Sequence, residues 1–412
     1  MTYAIFPPED ILDTTVARLP LSKSIAARAL VLAALTPGAE RPSADLLPVC
    51  DDIEALCRCL PQRTGKADCG LSGTALRFLT AFYAATEGVD ITLRGADGLS
   101  RRPVGPLVDS LRQMGAKIEY LEREGFAPLH IVGTTLSASE PVKVDASISS
   151  QYVSALCMIA PRIGGLTIDF GAEFPSRPYV EMTLRMLESR GISTAVEGYS
   201  VRVGGGELHP VTPESEGDWS AASYWYEIVA LSAGFATLPR LDLPSLQGDS
   251  VLAKLGERFG VSTTDGDTPH SIQLSASPEI HSRLDLDMSH YPDLVPALAV
   301  TSALIGVPFH FSNISHLRHK ESDRLSDLAE CLSRIGVIVE LTDDSMAWEG
   351  ETAPVFEIPR IDPHGDHRLA MAMAPAAFAA PGILIDNPGC VEKSYPGFWD
   401  DLRDAGFKIE ES

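Results

Sequence analysis

Hydrophobic positions in this chain fall into two kinds of helical run, which alternate with short β-rich stretches. The first kind is apolar on nearly every side. Such runs begin near Ser24, Thr74, Ser149, Asp218, Asp293 and His367, and a helix that is apolar all round has to be buried. The second kind is amphipathic, as where Leu325, Leu328, Leu332 and Ile335 share one helical face. Several amphipathic runs close on glycine and pass straight into a strand-like stretch: Met114-Gly115-Ala116, Arg190-Gly191-Ile192, Phe259-Gly260-Val261, Ile335-Gly336-Val337 and Ala405-Gly406-Phe407. Glycine just past a helix accepts the left-handed conformation that satisfies the last carbonyls. Residues 337–341 read as the strand that follows one of them. Both series advance by roughly 70 residues per step, the mark of a structural repeat. The pattern predicts an α/β protein of six repeats, each with one buried and one amphipathic helix. At 412 residues, and about 100–200 residues per domain, two domains of three repeats each are expected.

Composition narrows the function. The chain is 45% hydrophobic and 22% charged, which is globular. Acidic residues outnumber basic ones by 56 to 33, for a net charge of −23. A nucleic-acid partner calls for the opposite sign, so none is expected. No apolar run approaches the roughly 20 residues of a membrane span, and residues 1–10 show no basic and apolar leader. A cytoplasmic protein away from membranes is the expectation. The seven cysteines are odd in number, and Cys57-Arg58-Cys59 leaves one residue between thiols, unlike a zinc or redox pair. Reduced thiols and no metal site are expected. Any anionic substrate must then be held by a local basic cluster against the overall field.

Polar groups gather where the apolar helices start: Lys23-Ser24 with Arg28, Ser72-Gly73-Thr74 with Arg77, Ser149-Ser150-Gln151, Glu216-Gly217-Asp218, Asp293, and Asp366-His367-Arg368. Hydroxyls and aspartates there are explained by N-capping. Helix starts also present unpaired N–H groups and a partial positive charge, so several of them at one place would bind anions. Lys23, Arg28, Arg77 and Arg368 are harder to explain, because a charge on an apolar helix needs a partner. Arg101-Arg102-Pro103 is a basic pair before a helix, and residues 318–324 place Lys320, Glu321, Asp323 and Arg324 together at the start of an amphipathic one. Carboxylates beside lysine and arginine suit proton transfer on a phosphorylated substrate.

These residues resemble the EPSP synthase family of enolpyruvyl transferases over nearly the whole chain. Leu19-Pro20-Leu21-Ser22-Lys23-Ser24 is similar to the family's LPGSKS, and Ser72-Gly73-Thr74-Ala75-Leu76-Arg77 to its NAGTAxR. Arg102-Pro103-Val104-Gly105-Pro106-Leu107, Ser149-Ser150-Gln151-Tyr152 and Ser176-Arg177-Pro178-Tyr179 follow in family order. So do Tyr291-Pro292-Asp293, Lys320-Glu321-Ser322-Asp323-Arg324, Asp366-His367-Arg368 and Lys393-Ser394-Tyr395-Pro396. The resemblance implies a two-domain inside-out α/β barrel of six βαβαββ units. It places one domain at 20–217 and the other at 1–19 with 218–412, with the active site in the cleft between them.

The reaction it implies moves the enolpyruvyl group of phosphoenolpyruvate to the 5-hydroxyl of shikimate 3-phosphate, with no metal or organic cofactor. The enzyme would act as a monomer on these two small molecules. By the same resemblance Lys23, Ser24, Arg28, Ser149, Ser150, Gln151, Ser176, Asp293 and Lys320 hold shikimate 3-phosphate. Lys23, Gly73, Arg102, Gln151, Arg324, Arg368 and Lys393 hold phosphoenolpyruvate. Asp293 and Glu321 move protons and Lys23 assists. Arginine suits planar carboxylates and lysine is a point charge for phosphate.

Leu21, Leu71, Phe78, Arg101, His316 and Gly365 depart from the family pattern, and the stretch from Cys57 to Cys69 is shorter than usual. An enolpyruvyl transferase acting on UDP-N-acetylglucosamine is the alternative within the same chemistry. It commonly has a cysteine before its RPV helix, where residues 96–100 have none, and it lacks the Ser-Ser-Gln triplet. A non-enzymatic anion-binding repeat protein would not need to keep Asp293 and Glu321.

Overall fold

The computed structural model describes residues 1–211 and 216–411, with the side chain of Ser100 left aside. The chain divides into two compact units, one formed by Met1–Ser22 with Glu216–Ser412 and the other by Lys23–Ser215. It is an α/β protein with five four-stranded mixed sheets among the described residues.

All five sheets share one strand order. The first strand runs parallel to the second, the second is antiparallel to the third, and the third to the fourth. In the second unit, Thr64–Asp68 pairs in parallel with Asp90–Arg94, which pairs with Leu129–Val132, which pairs with Lys117–Tyr120. The parallel pair needs a crossover. That crossover is the apolar helix Gly73–Ala84, buried along its length but for Thr74. The amphipathic helix Gly105–Gln113 then leads into the hairpin. The sheet around Gly165–Asp169 repeats this with helices Gln151–Ile159 and Pro178–Glu188.

The first unit carries three such sheets, and two of them are completed by the start of the chain. Asp13–Thr15 is the parallel edge beside Phe235–Pro239. Thr2–Phe6 lies between Ile383–Asp386 and Lys408–Glu411. The apolar helices Trp219–Ser232, Val295–Leu304 and His367–Met373 form its core. Where the chain leaves this unit and returns, Ser22 N–H donates to Glu216 O at 2.8 Å and Asp218 N–H to Pro20 O at 2.9 Å.

The sixth repeat is reduced. Helices Lys23–Leu35 and Asp51–Cys59 are present, but no sheet of their own is seen among the described residues. Only residues 60–63 separate Cys59 from the strand Thr64–Asp68, too few for another hairpin. The five repeating glycines all take positive φ: Gly115 91°, Gly191 84°, Gly260 82°, Gly336 84° and Gly406 92°. Four of them follow a helix end. Gly260 does not, because that helix stops at Gly256 and Gly260 sits at a register shift in the strand Phe259–Asp265. Residues 337–341 are strand only at Glu340–Leu341, with Val337 making an isolated bridge to Thr352. No helix among the described residues is long and apolar enough to cross a membrane.

One core position works against folding. Glu227, in the middle of Trp219–Ser232, is fully buried, and neither carboxylate oxygen has a hydrogen-bond partner among the described residues. Burial pushes its pKa well above the usual carboxylate range. The native state therefore binds a proton that the unfolded chain releases above its ordinary pKa, so this group lowers stability as pH rises through that value toward the raised native one. Glu227→Met keeps the volume without the desolvated acid. It should raise stability near neutral pH by about 1–3 kcal/mol and flatten the fall in melting temperature with rising pH. Differential scanning calorimetry between pH 5 and 8 checks both.

Candidate active site

In the first unit, one arginine gathers three carboxylates from three parts of the chain. Arg324, the first residue of helix Arg324–Arg334, is 1% exposed. Its Nη1 lies 3.1 Å from Asp293 Oδ1, its Nη2 2.7 Å from Glu321 Oε2, and its Nε 2.7 Å from Asp366 Oδ2. Two further cations close the cluster. Arg368 Nη2 is 2.8 Å from Asp293 Oδ2, and Lys393 Nζ is 3.0 Å from Glu321 Oε1. Asp366 also caps the helix His367–Met373, accepting from Arg368 N–H at 2.9 Å.

Burial alone would raise the Asp293 pKa. Arg368, then Lys320 and Arg324, outweigh it and hold the carboxyl well below the usual range. The sequence suggested that Asp293 caps a helix. Instead the next helix starts at Val295 without a side-chain cap, and Asp293 is committed to two guanidiniums. Ser72, Asp218, Asp323 and Asp366 do cap their helices. His316, set aside by the sequence reading, is 6% exposed beside Asp293, and burial followed by Lys320 lowers its pKa to about 3. It is therefore a neutral imidazole in this cluster.

In the second unit the polar helix starts gather around Gly73. Arg77 Nη1 donates to Gln151 Oε1 at 2.7 Å, and Gln151 Nε2 donates to Thr74 Oγ1 at 3.2 Å. The Arg102 guanidinium lies across Gly73, so that a Cβ there would sit 2.8 Å from Arg102 Nη1 and 3.2 Å from Arg77 Nη1. Lys23, at the start of Lys23–Leu35, pairs with the buried Asp52 at 3.0 Å. Ser149 Oγ accepts from Gln151 N–H at 3.3 Å. Ser176 is buried with φ 62°, an uncommon conformation for a serine.

Arg28 is buried, but not against a carboxylate. Its guanidinium donates to Thr183 Oγ1 at 2.6 Å, Tyr179 O at 2.9 Å, Ser24 O at 3.0 Å and Ser154 Oγ at 3.2 Å. It also lies over the Phe78 and Tyr179 rings. Burial lowers its pKa to about 10. It ties three helices together behind Ser24. A cavity of about 530 Å³, lined by Leu35, Thr86 and Arg162 among others, lies near the opposite ends of the apolar helices and collects none of the candidate residues.

The structure thus brings Asp293, Glu321, Arg324, Arg368 and Lys393 into one ion-paired cluster, with Lys320 near. It brings Gly73, Arg102 and Gln151 into another group, and places Lys23 on Asp52. Sequence reading missed Asp52, Asp366 as a brace for Arg324, and the Arg77–Gln151 contact. The signal for the first was present, since Lys23 on an apolar helix required a partner.

The family model for EPSP synthase (3-phosphoshikimate 1-carboxyvinyltransferase) matches residues 61–402. The chain is 41% identical to a 3-phosphoshikimate 1-carboxyvinyltransferase of Bacteroides fragilis, covering 100% of this chain and 99% of the relative. It is 35% identical to one of Cellvibrio japonicus, covering 93% and 95%. Among solved structures, an EPSP synthase of Acinetobacter baumannii superposes with a TM-score of 0.76 at 20% identity over both full chains, a likeness of fold.

Losing the central guanidinium should be costly. Removing one partner of a buried ion pair costs about 3–5 kcal/mol, and lysine cannot reach three acids in the way a planar fork does. Arg324→Lys should therefore unfold at markedly lower denaturant. Because the Asp293 pKa is depressed, its share of the stability is present above its ordinary value of about 3.9 and is lost only as pH falls through the native one. The wild-type to Arg324→Lys difference in chemical denaturation should hold from pH 8 to 5 and narrow below 4.

Proposed function

We propose that this chain, which belongs to the EPSP synthase family, moves protons with the carboxylates of its ion-paired cluster and grips substrate anions with the cations paired to them and with the residues gathered around Gly73. The reaction is the transfer of the enolpyruvyl group of phosphoenolpyruvate to the 5-hydroxyl of shikimate 3-phosphate, with release of phosphate, in the shikimate pathway. The observation that carries this reading is the ion-paired cluster. The two carboxylates suited to move protons, Asp293 and Glu321, share Arg324, and each also holds a cation suited to a substrate anion.

The chemistry follows from that pairing. Arg368 sits on Asp293, Lys393 on Glu321 and Lys23 on Asp52. Phosphates and carboxylates compete for the same cations. As Arg368 turns to the phosphoenolpyruvate carboxylate and Lys393 to its phosphate, Asp293 and Glu321 lose part of what holds them ionised, and both become more basic. Glu321 can then carry a proton to the methylene carbon of phosphoenolpyruvate, which leaves carbon 2 electrophilic. Asp293 takes the proton of the 5-hydroxyl as that oxygen attacks. In the second half the methyl group returns a proton to Glu321, the double bond reforms and phosphate leaves, with Lys23 and Lys393 stabilising its charge. Arg102, with Gly73 beneath it, is the fork for the second substrate, and Gln151, fixed by Arg77 and Thr74, lies between the two. Ser24, Ser149, Ser150, Ser176 and Lys320 take the acceptor, with Arg28 setting Ser24 in place. A cytoplasmic monomer acting on these two small molecules fits this reading.

Three measurements test it. Asp293→Asn and Glu321→Gln should each lower kcat by about 10²–10⁴-fold, and Glu321→Gln alone should stop solvent deuterium entering the methylene of phosphoenolpyruvate. Near-normal turnover in either variant removes that residue from proton transfer. Arg102→Lys keeps the charge but not the two-pronged contact, so steady-state kinetics should show KM for phosphoenolpyruvate rising far more than KM for shikimate 3-phosphate. Equal rises would make Arg102 structural. The acid limb of the kcat profile, which reports the bound complex, should lie at higher pH than that of kcat/KM, which reports the free enzyme. Coincident limbs would mean that the pairs do not exchange.

A further inference from the structure

The segment that carries Lys393 is pinned at both ends by the helix that follows it. Lys393 closes the short helix Pro388–Lys393, and its Nζ lies 3.0 Å from Glu321 Oε1. At the start of that helix, Pro388 O accepts from Trp399 Nε1 at 2.9 Å. Just past its end, Tyr395 N–H donates to Val391 O at 2.8 Å, and Tyr395 Oη donates to Asp401 Oδ2 at 2.7 Å. Trp399 and Asp401 both belong to helix Phe398–Asp404. Tyr395 and Asp401 are buried, while Lys393 between Val391 and Tyr395 is half-buried.

The Tyr395–Asp401 pair is itself held from two further places. Tyr395 Oη accepts from Trp225 Nε1 at 3.1 Å, so the hydroxyl donates once and accepts once. Asp401 accepts from Arg18 N–H at 3.1 and 3.2 Å and from Arg18 Nη1 at 3.1 Å. The Arg18 side chain lies across Gly397, where an added Cβ would sit 2.6 Å from the Arg18 Cβ. Trp225 belongs to helix Trp219–Ser232, and Arg18 comes shortly before Ser22. Both therefore adjoin the segments by which the chain leaves the first unit and returns to it. The Tyr395 ring stands against Phe398 with centroids 5.5 Å apart. A lysine is a point charge on a flexible four-carbon stem, so its aim depends on its backbone. Val391 and Tyr395 flank it as buried anchors, and of the two only tyrosine has a side chain that hydrogen bonds can fix in direction.

We propose that Tyr395 and Asp401 are positioning residues for Lys393. Their hydrogen bond holds the backbone that aims the ammonium at Glu321 and, on the function proposed above, at the phosphate of phosphoenolpyruvate. A hydroxyl bonded to a carboxylate is among the stronger hydrogen bonds, and Arg18 on the other carboxylate oxygen keeps Asp401 from turning away. The pair touches no substrate and acts through Lys393 alone. The effect is large enough to matter, because displacing a group by about 1 Å from its working place costs about 10²-fold in rate. A polar pair that served the core alone would lower stability when broken and leave Lys393 on Glu321.

The part of Lys393 in turnover rests on the function proposed above, while its placement does not, so the two are measured separately. The full-length protein, with no substrate added, is acetylated with limiting sulfo-N-hydroxysuccinimidyl acetate. Mass spectrometry gives the rate at Lys393 relative to that at the exposed Lys117. Held on Glu321 and half-buried, the Lys393 amine is shielded from the reagent. Tyr395→Phe keeps the ring and removes the hydroxyl, and it should raise the ratio several-fold, the scale of one lost hydrogen bond. Asp401→Asn keeps an oxygen that accepts from Tyr395 Oη, and its ratio should stay close to that of the wild type. In steady-state kinetics Tyr395→Phe should raise KM for phosphoenolpyruvate several-fold, with KM for shikimate 3-phosphate little changed. A Tyr395→Phe ratio equal to the wild type, whatever the melting temperature does, overturns the proposal. So does an Asp401→Asn protein as reactive at Lys393 as Tyr395→Phe, since the bond between the two would then not be what places the lysine. A raised ratio with both KM values unchanged supports the placement and overturns the role of Lys393 in holding phosphoenolpyruvate.

Discussion

Arg324 has to satisfy three carboxylates in a place that water hardly reaches, and the layout of the first unit follows from that demand. Asp293, Glu321 and Asp366 arrive from separate segments. Three negative charges in a low-dielectric setting would repel strongly if left with one cation. Arg368 and Lys393 supply the balance, so the cluster counts three acids against three bases. Those six groups balance in charge, and the arrangement is poised. Any anion that draws Arg368 or Lys393 away leaves a carboxylate more basic than before. A protein of net charge −23 thereby keeps its cations in hand without exposing a basic surface.

The repeat explains how these groups come together. Apart from Lys23–Leu35, whose repeat shows no sheet of its own among the described residues, the apolar helices serve as connections between parallel strands, and polar groups collect at their first turns. Capping uses some of them: Ser72, Asp218 and Asp366 accept from helix N–H groups. On the proposed function, chemistry uses others. Asp366 does both, since one carboxylate caps a helix and braces Arg324. The glycines near the ends of the amphipathic helices all hold positive φ, a conformation that a side chain would resist.

Much of this was legible in the residues alone. The all-apolar helices, the period and the family motifs pointed to the α/β repeat fold, and a charge on an apolar helix pointed to a partner. What the pattern could not carry was the identity of each partner, because that depends on segments distant in sequence. Lys23 meets Asp52, whereas Arg28 is satisfied by hydroxyls, carbonyls and ring faces, with no acid among those contacts. Asp293 looked like a cap because it precedes a helix, but two arginines claim it first. Gly260 keeps the period yet serves a strand irregularity, because its helix is short. The sixth repeat shows only its helices among the described residues, and the shortened stretch between Cys57 and Cys69 was the visible trace of that.

On the proposed function, substrate anions replace protein carboxylates on shared cations, and this exchange makes Asp293 a base. It is read most directly from the carboxyl carbon of Asp293 by ¹³C NMR, in protein labelled at aspartate and assigned with Asp293→Asn. The titration is run free and then saturated with shikimate 3-phosphate and a phosphonate analogue of phosphoenolpyruvate that cannot be transferred. The carboxyl should stay ionised to very low pH in the protein alone and titrate at clearly higher pH in the complex. An Asp293 carboxyl whose titration is the same with and without the ligands would contradict it.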